Sequence, residues 1–201
     1  MRDIVEKHLD EVDGVVFDFG GVIVVAPTGE WKVLALCEKV GLSKDAALKG
    51  IWKYRNDFDG GFLTCREMYA KILAENGLTA GDDFFSQVYK VDSEGWINFS
   101  PETLELMREL KARGKKLGIL SNMSAQFYVD YFKPLAASYR ELCDSEIISS
   151  QHKLTKPDRP IYDLSEKDMG IPAGRLLFLD DNVANVEAAR RYGWISEIYK
   201  A

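Results

Sequence analysis

Apolar residues fall along this chain in two rhythms, short unbroken runs and stretches that recur every three to four positions. Val15-Val16-Phe17 is the first run; mostly β-branched, it reads as a buried strand of a parallel sheet that Gly20 and Gly21 bring to a stop. After the breaker cluster Ala26-Pro27-Thr28-Gly29 the rhythm turns helical. Trp31, Leu34, Ala35 and Cys37 open an amphipathic segment that ends at Gly41, and Ser43 begins a second one through Leu48 and Trp52. Phe58-Asp59-Gly60-Gly61-Phe62 reads as a loop. Thr64 starts a third helix with Glu67 as its capping-box partner, Met68, Ile72 and Leu73 on one face, and Asn76-Gly77 as its stop. A fourth short helix is expected from roughly Asp82 to Tyr89.

Strand signals return only beyond this helical stretch. Ser100-Pro101-Glu102 supplies an N-cap, an N1 proline and a first-turn acid to a helix that turns Leu104, Met107 and Leu110 to a core before Gly114 ends it. Lys116 to Leu120 is a strand that delivers Ser121-Asn122 at its C-terminal end. Ala125 to Phe132 is helical with Pro134 as its stop, Glu146 to Ser149 is a short strand, and Gln151 to Lys156 is a loop. A helix from Asp158 carries Ile161, Tyr162 and Leu164 to Gly170. Leu176 to Leu179 forms a fourth strand ending in Asp180-Asp181-Asn182, a helix follows through Val186 and Ala189 to Gly193, and Trp194 to Ile198 is the last strand. This alternation predicts an α/β protein with a Rossmann-like, doubly wound parallel sheet. The core comprises residues 1–27 and 93–201, with an all-helical cap of 28–92 inserted between them.

Composition narrows the function. A length of 201 residues suits one large domain or one domain with an insertion, and a net charge of −6 argues against a nucleic-acid or anionic-membrane surface. Met1 to Asp13 is too polar for a signal peptide, and no apolar run reaches the length of a membrane span. Cys37, Cys65 and Cys143 are odd in number and widely spaced, as bystander thiols in a reducing compartment would be, so a cytoplasmic location is expected. The two histidines, His8 and His152, exclude a His-rich metal site, and both read as exposed titrating side chains. Neither a Gly-x-Gly-x-x-Gly fingerprint nor a P-loop occurs.

Four polar stations fall after four strands: Asp18, Ser121-Asn122, Lys156 and Asp180-Asp181. A parallel sheet gathers such stations at one edge, where ligands bind in open α/β folds. Taken singly each has a plain structural alternative: Asp18 as a turn cap, Ser121 as a helix cap, Lys156 as a surface lysine, Asp180-Asp181 as an N-cap pair. Together they describe an oxygen-ligand Mg²⁺ site beside a phosphate pocket, because Mg²⁺ favours one or two carboxylates with substrate oxygens and water, and lysine suits phosphate.

These stations resemble the motifs of the haloacid dehalogenase-like (HAD) hydrolase superfamily over nearly the whole chain. The first looks like Phe17-Asp18-Phe19-Gly20-Gly21-Val22, the second like Leu120-Ser121-Asn122, the third like Lys156-Pro157-Asp158, and the fourth like Phe178-Leu179-Asp180-Asp181-Asn182-Val183-Ala184-Asn185. The insert resembles the helical C1 cap of subfamily I. The resemblance implies a phosphoric monoester hydrolase in which Asp18 is the nucleophile that becomes an aspartyl phosphate, and Ser121 and Lys156, with Gly20, Gly21 and Asn122, hold the phosphoryl group. Asp18, Asp181 and the carbonyl of Gly20 would bind Mg²⁺, with Asp180 an outer ligand and Asn185 a support.

One position departs from the pattern. Phosphatases of the family usually carry a second aspartate two residues after the nucleophile, as proton donor and acceptor, and here that residue is Gly20. The replacement resembles a group of bacterial sugar-phosphate phosphatases. Loss of a general acid slows proton transfer by about 10²–10⁴, so either the leaving group is a good one or another group donates the proton. The reading is a Mg²⁺-dependent phosphatase of a small soluble phosphorylated metabolite. Its rivals are a non-catalytic module that kept the fold and a metal-free 2-haloacid dehalogenase, which would waste the acidic pair Asp180-Asp181. Substrate choice would rest with the cap, where Trp52, Tyr54, Phe58 and Phe62, with Arg55, either line the pocket or form the cap's core, the core being the preferred reading for each.

Overall fold

The structure, a computed structural model, describes residues 2–25 and 30–199; the breaker cluster Ala26-Pro27-Thr28-Gly29 lies outside the described residues. The chain runs through α1 (Arg2–Glu6), β1 (Gly14–Phe17), α2 (Glu30–Lys39), α3 (Lys44–Asp59), α4 (Cys65–Glu75), α5 (Asp82–Glu94), α6 (Pro101–Ala112) and β2 (Lys116–Ser121). It continues through α7 (Ala125–Phe127), a π-helical turn over Tyr128–Phe132, α8 (Lys133–Leu135), α9 (Ala137–Arg140), β3 (Ser145–Ile148), α10 (Ser149–His152) and α11 (Arg159–Met169). A 3₁₀ turn, β4 (Leu176–Asp180), α12 (Val183–Arg191) and β5 (Ile195–Ile198) complete it.

The five strands form one parallel sheet in the order β3-β2-β1-β4-β5. Side chains alternate across it. Val15, Phe17, Leu117, Ile119, Leu177 and Leu179 enter one apolar cluster with Leu106, Met107 and Leu110 of α6. Val16, Leu120, Leu176 and Phe178 enter a second, on the opposite face, with Ile161 and Tyr162 of α11 and Ala188 and Ala189 of α12. Burial on both faces is why these strands read as unbroken apolar runs. The chain leaves β1 for β2 and β3 on one side and then returns to β4 on the other, so the switch point lies between β1 and β4. Phe17 is in register with Ile119 and Leu179, which sets Asp18 beside the end of β4, its N–H bonded to the carbonyl of Leu179.

Helices α2 to α5 form the inserted cap around a cluster of their own that includes Val33, Cys37, Met68, Ile72, Phe84 and Val88. The expected capping box is present, with Thr64 and Glu67 exchanging backbone and side-chain hydrogen bonds.

Several expected elements differ. Phe58 and Asp59 belong to the last turn of α3 rather than to a loop, because Gly60 N–H still bonds to Asn56 O and the chain turns only at Gly61, φ +71°. Helix α5 runs on to Glu94, with Val88 and Ser93 buried and no breaker before Gly95. Pro134 does not stop the helical segment: it sits in the first turn of α8, where its missing N–H is not required. Part of the loop expected from Gln151 is helix α10, closed by Lys153 at φ 58°. His8 is not an exposed side chain. Helix α1 buries Val5 and brings the imidazole, 12% exposed, to 2.9 Å from Glu197. Trp52 and Phe62 lie outside the cap core, 72% and 60% exposed, whereas Phe58 is buried.

Gly50 marks the closest approach of α3 to α4. A Cβ there would lie 2.6–2.7 Å from the branched atoms of Ile72, so Gly50→Ala should destabilise the protein by about 1–3 kcal/mol although alanine is the better helix former. Denaturant unfolding measures this, and trimming the neighbour with Ile72→Val should recover part of the loss.

Candidate active site

Each station is carried to the switch point by a strand end or the loop beyond it. Asp18 follows β1, Ser121 ends β2, Asp180 ends β4, and Lys156 comes in from the loop after α10. All four are buried, and the surface-lysine reading of Lys156 is excluded at 2% exposure. Its Nζ lies 2.9 Å from Asp18 Oδ1 and 2.6 Å from Asp180 Oδ2. A buried ammonium persists only if it is paired and fixed, and both conditions are met. Asn122 clamps the lysine's own backbone: its Nδ2 donates to Lys156 O and its Oδ1 accepts from Lys156 N–H, both at 2.8 Å. The side chain expected to hold a phosphoryl group therefore holds the lysine.

Asp180 is saturated on the opposite side. Its Oδ1 accepts from Asn182 N–H at 2.8 Å, and Asn185 Nδ2 reaches both oxygens at 3.0 and 3.2 Å. Tyr162 OH in turn donates to Asn185 O. The helix cap expected of Asp180-Asp181 falls to Asn182, whose side chain accepts from Ala184 N–H. Asp18 takes its hydrogen bonds on Oδ1, from Lys156 and from Phe19 N–H at 2.7 Å, and among the described residues Oδ2 carries none. One oxygen is pinned, and the other remains for chemistry.

Asp18, Asp180 and Asp181 bring carboxylate oxygens within 4.8 Å of one another against the single ammonium. An all-oxygen donor set with excess negative charge fits a hard divalent cation. Gly21 makes room for the Asp181 side chain: at φ +68°, its missing Cβ would lie 2.7–2.8 Å from Asp181 Oδ2, Cβ and Cγ. The oxygens of Asp180 are taken by Lys156, Asn182 and Asn185, which makes it the carboxylate of the three least suited to bind an ion directly. Burial, opposed by Lys156 and reinforced by Asp180, pushes the Asp18 carboxyl up to about 7.

A cleft of about 360 Å³ opens between this edge and the cap, lined from the core by Asp18, Ser121 and Lys156. The cap side was only partly legible in the sequence. Arg55, Phe58 and Trp52 line the cleft, joined by Trp96, Asp59 and Asp92. Arg55 Nε is 2.6 Å from Asp59 Oδ2, and its guanidinium lies over the rings of Phe58 and Trp96. The signal for Asp59 was an aspartate in the last turn of an amphipathic helix, hidden by the glycines that follow it. Trp96 explains the departure at position 20, since a Cβ on Gly20 would lie 3.0 Å from its indole ring.

Two outcomes follow. Gly20→Asp should destabilise the protein by about 1–3 kcal/mol through pressure on the indole, and Trp96→Leu in the same chain should relieve it, both read by denaturant unfolding. Folded Asp18 keeps its proton to about pH 7, whereas an unfolded aspartate loses it near ~3.9, so the folded state binds the extra proton between these values and is weakened as pH rises through them. In metal-free protein this slope should become shallower in Asp18→Asn, the remainder coming from other buried carboxyls such as Asp59 and Asp92, and Mg²⁺ should raise the thermal midpoint of the wild type by several degrees more at pH 8 than at pH 5.5.

Comparison with known proteins follows the same lines. An (S)-2-haloacid dehalogenase of Pseudomonas putida is 24% identical over 196 residues, covering 92% of this chain and 83% of its own. A sesquiterpene phosphatase of Aspergillus oryzae is 23% identical over 186 residues, covering 90% and 86%. A HAD family enzyme of Bacteroides thetaiotaomicron, solved in complex with magnesium and inorganic phosphate, shares the fold with a TM-score of 0.69 at 20% identity, over 94% of this chain and 95% of that one. The family profile that matches residues 12–193 is that of the haloacid dehalogenase-like hydrolases, and this chain belongs to that family.

Proposed function

We propose that the protein is a Mg²⁺-dependent phosphatase that hydrolyses a small phosphorylated metabolite through an aspartyl phosphate on Asp18. The observation that carries this reading is the donor set of the site: three aspartates gather at one edge beside a single lysine, an all-oxygen acidic cluster of the kind a divalent cation favours. A metal-free dehalogenase would have to draw an anionic haloacid into that field. Arg55, the other cation lining the cleft, is already engaged by Asp59 and also feels the charge of Asp92. The magnesium and phosphate of the Bacteroides neighbour and the phosphatase among the sequence relatives support the same reading.

Asp18, Asp181 and the Gly20 carbonyl would hold the ion, whose charge would let a phosphate dianion approach. Asp18 Oδ2 attacks phosphorus while Oδ1 stays anchored by Lys156 and Phe19 N–H. The Ser121 hydroxyl and the Lys156 ammonium face the phosphoryl oxygens, as phosphoryl transfer by positioning and charge stabilisation requires. No helix among the described residues is long and apolar enough to cross a membrane, and the cysteines are unpaired, two of them buried. Both facts support work in the cytoplasm on a soluble metabolite, and sugar phosphates head the panel to be screened.

Turnover of p-nitrophenyl phosphate with Mg²⁺ tests the proposal. Asp18→Asn should lower it by several orders of magnitude while the protein stays folded, and excess chelator should abolish it. Full activity in chelator, or release of chloride from 2-chloropropionate, would overturn the reading.

A further inference from the structure

The phosphatase reading leaves a proton unassigned. At Gly20 no side chain can donate to a leaving alkoxide, and the space where one would begin is filled by the Trp96 indole. What lies on that indole comes from the cap. The Arg55 guanidinium sits 5.8 Å from the Trp96 ring centre and 2.6 Å from Asp59 Oδ2. Asp59 is 5% exposed, lines the same cleft as Asp18 and Lys156, and has an Oδ1 that is closed off from water and without a hydrogen-bond partner. A buried carboxyl oxygen with no partner is rare, because its desolvation goes uncompensated, and it marks a group kept for something the structure does not contain.

The position of Asp59 is fixed from the core. Ser149 Oγ donates to Asp59 O at 2.5 Å and accepts from Met123 N–H at 2.8 Å, which ties the last turn of α3 to the segment directly after Ser121-Asn122. Gly61, two residues on, packs so closely on Ser150 that a Cβ there would lie 2.9 Å from it, and Lys153 Nζ donates to Gly61 O. The end of α3 is thus seated on α10, at the C-terminal end of β3.

We propose that Asp59 is the general acid and base of this phosphatase site, supplied by the cap in place of the aspartate that Gly20 lacks; the proposal rests on the phosphatase reading. In the first step Asp18 Oδ2 bonds to phosphorus, the bond from phosphorus to the leaving oxygen breaks, and the Asp59 O–H gives its proton to that oxygen, releasing an alcohol. In the second, the Asp59 carboxylate takes a proton from water, the water oxygen bonds to phosphorus, and the bond to Asp18 breaks. Phosphate leaves, Asp18 is a carboxylate again, and Asp59 is reprotonated.

The surroundings suit both protonation states. Burial raises the Asp59 carboxyl above the ordinary carboxylate range, which favours its protonated form. Arg55 on the same helix and Lys156 from the core draw it down, and Asp92 on α5 pushes it up. Asp92 also lines the cleft and is drawn down by Arg55, whereas Asp59 also feels Lys156, the cation that touches the nucleophile.

A series of aryl phosphates from p-nitrophenyl to p-methoxyphenyl phosphate tests this, because the esters differ in leaving group and little in shape. With Mg²⁺, kcat/KM of the wild type should vary less than about tenfold across the series. Asp59→Asn should keep kcat/KM for p-nitrophenyl phosphate within about threefold and lose about 10²–10⁴-fold on the p-methoxyphenyl ester, as removal of a general acid does. Without its base the second step slows too. Rapid mixing of Asp59→Asn with p-nitrophenyl phosphate should give a burst of one p-nitrophenol per site, with phosphate trapped on Asp18 by acid quench and seen by mass spectrometry. Asp59→Glu should restore part of the loss, and Asp92→Asn should leave the flat dependence intact.

A steep dependence in the wild type overturns the assignment without any variant, so it stays testable if Asp59→Asn fails to fold. An equal loss on every ester with no burst, or transfer of the effect to Asp92→Asn, overturns it as well. No turnover of any ester by the wild type overturns the phosphatase reading, and this assignment with it.

Discussion

The ammonium of Lys156, buried between Asp18 and Asp180, is the interaction on which the rest of this structure depends. Removing three charged groups from water is expensive, and their attraction offsets the loss only when geometry and the remaining hydrogen bonds are complete. Every neighbouring element supplies one of those bonds. The register of β1 and β4 brings the two carboxylates together, Asn122 fixes the lysine backbone from β2, and Asn182 and Asn185 close off Asp180 from the start of α12. Tyr162 on α11 holds Asn185 in its turn. The second apolar cluster, in which Tyr162 packs against Phe178 and Trp194, is therefore also the scaffold of the charged site.

Two glycines then decide what fits around that centre. Gly21 leaves room for the Asp181 carboxyl, and Gly20 leaves room for an indole. The first lets the Asp181 carboxyl pack against the turn after Asp18, and the second serves the cap, because the indole that fills it supports Arg55. Cap and core also meet where Tyr89 OH donates to Asp130 and where Ser149 holds Asp59 O. Arg55, Asp59 and Trp52, on one helix, are thereby held at a set distance from Asp18.

The core was legible in the sequence because parallel strands buried on both faces leave unbroken apolar runs, and the residue after each run lands on the binding edge whatever the helices do. Asp18, Ser121 and Asp180 follow from that rule alone. Lys156 reads as the station of the third strand, although α10 and a loop separate it from the end of β3. The cap was less legible for a physical reason: amphipathic periodicity tells which side of a helix is apolar, but which polar side chains meet a cleft depends on how helices cross. Trp52 was expected in the core and lines the cleft, while Asp59 was hidden in a glycine-rich segment that α3 enters by one more hydrogen bond. His8 escaped because its burial comes from Glu197, at the far end of the chain.

A proton donor on the cap rather than on the core changes what closure of the cleft accomplishes. An acid two residues after the nucleophile stays beside it however the cap sits, whereas Asp59 reaches the site only while the end of α3 rests on Ser149 and Ser150. Excluding water and delivering the proton then become one event, and a ligand that holds the cap off the core leaves an attacking carboxylate without an acid. If Asp59 acts as proposed, that arrangement would tie hydrolysis to the shape of the substrate rather than to its phosphate alone. Selection at Trp52, Phe58 and Arg55 would then act on rate as well as on binding, because the interactions that close the cap are realised as chemistry is about to occur.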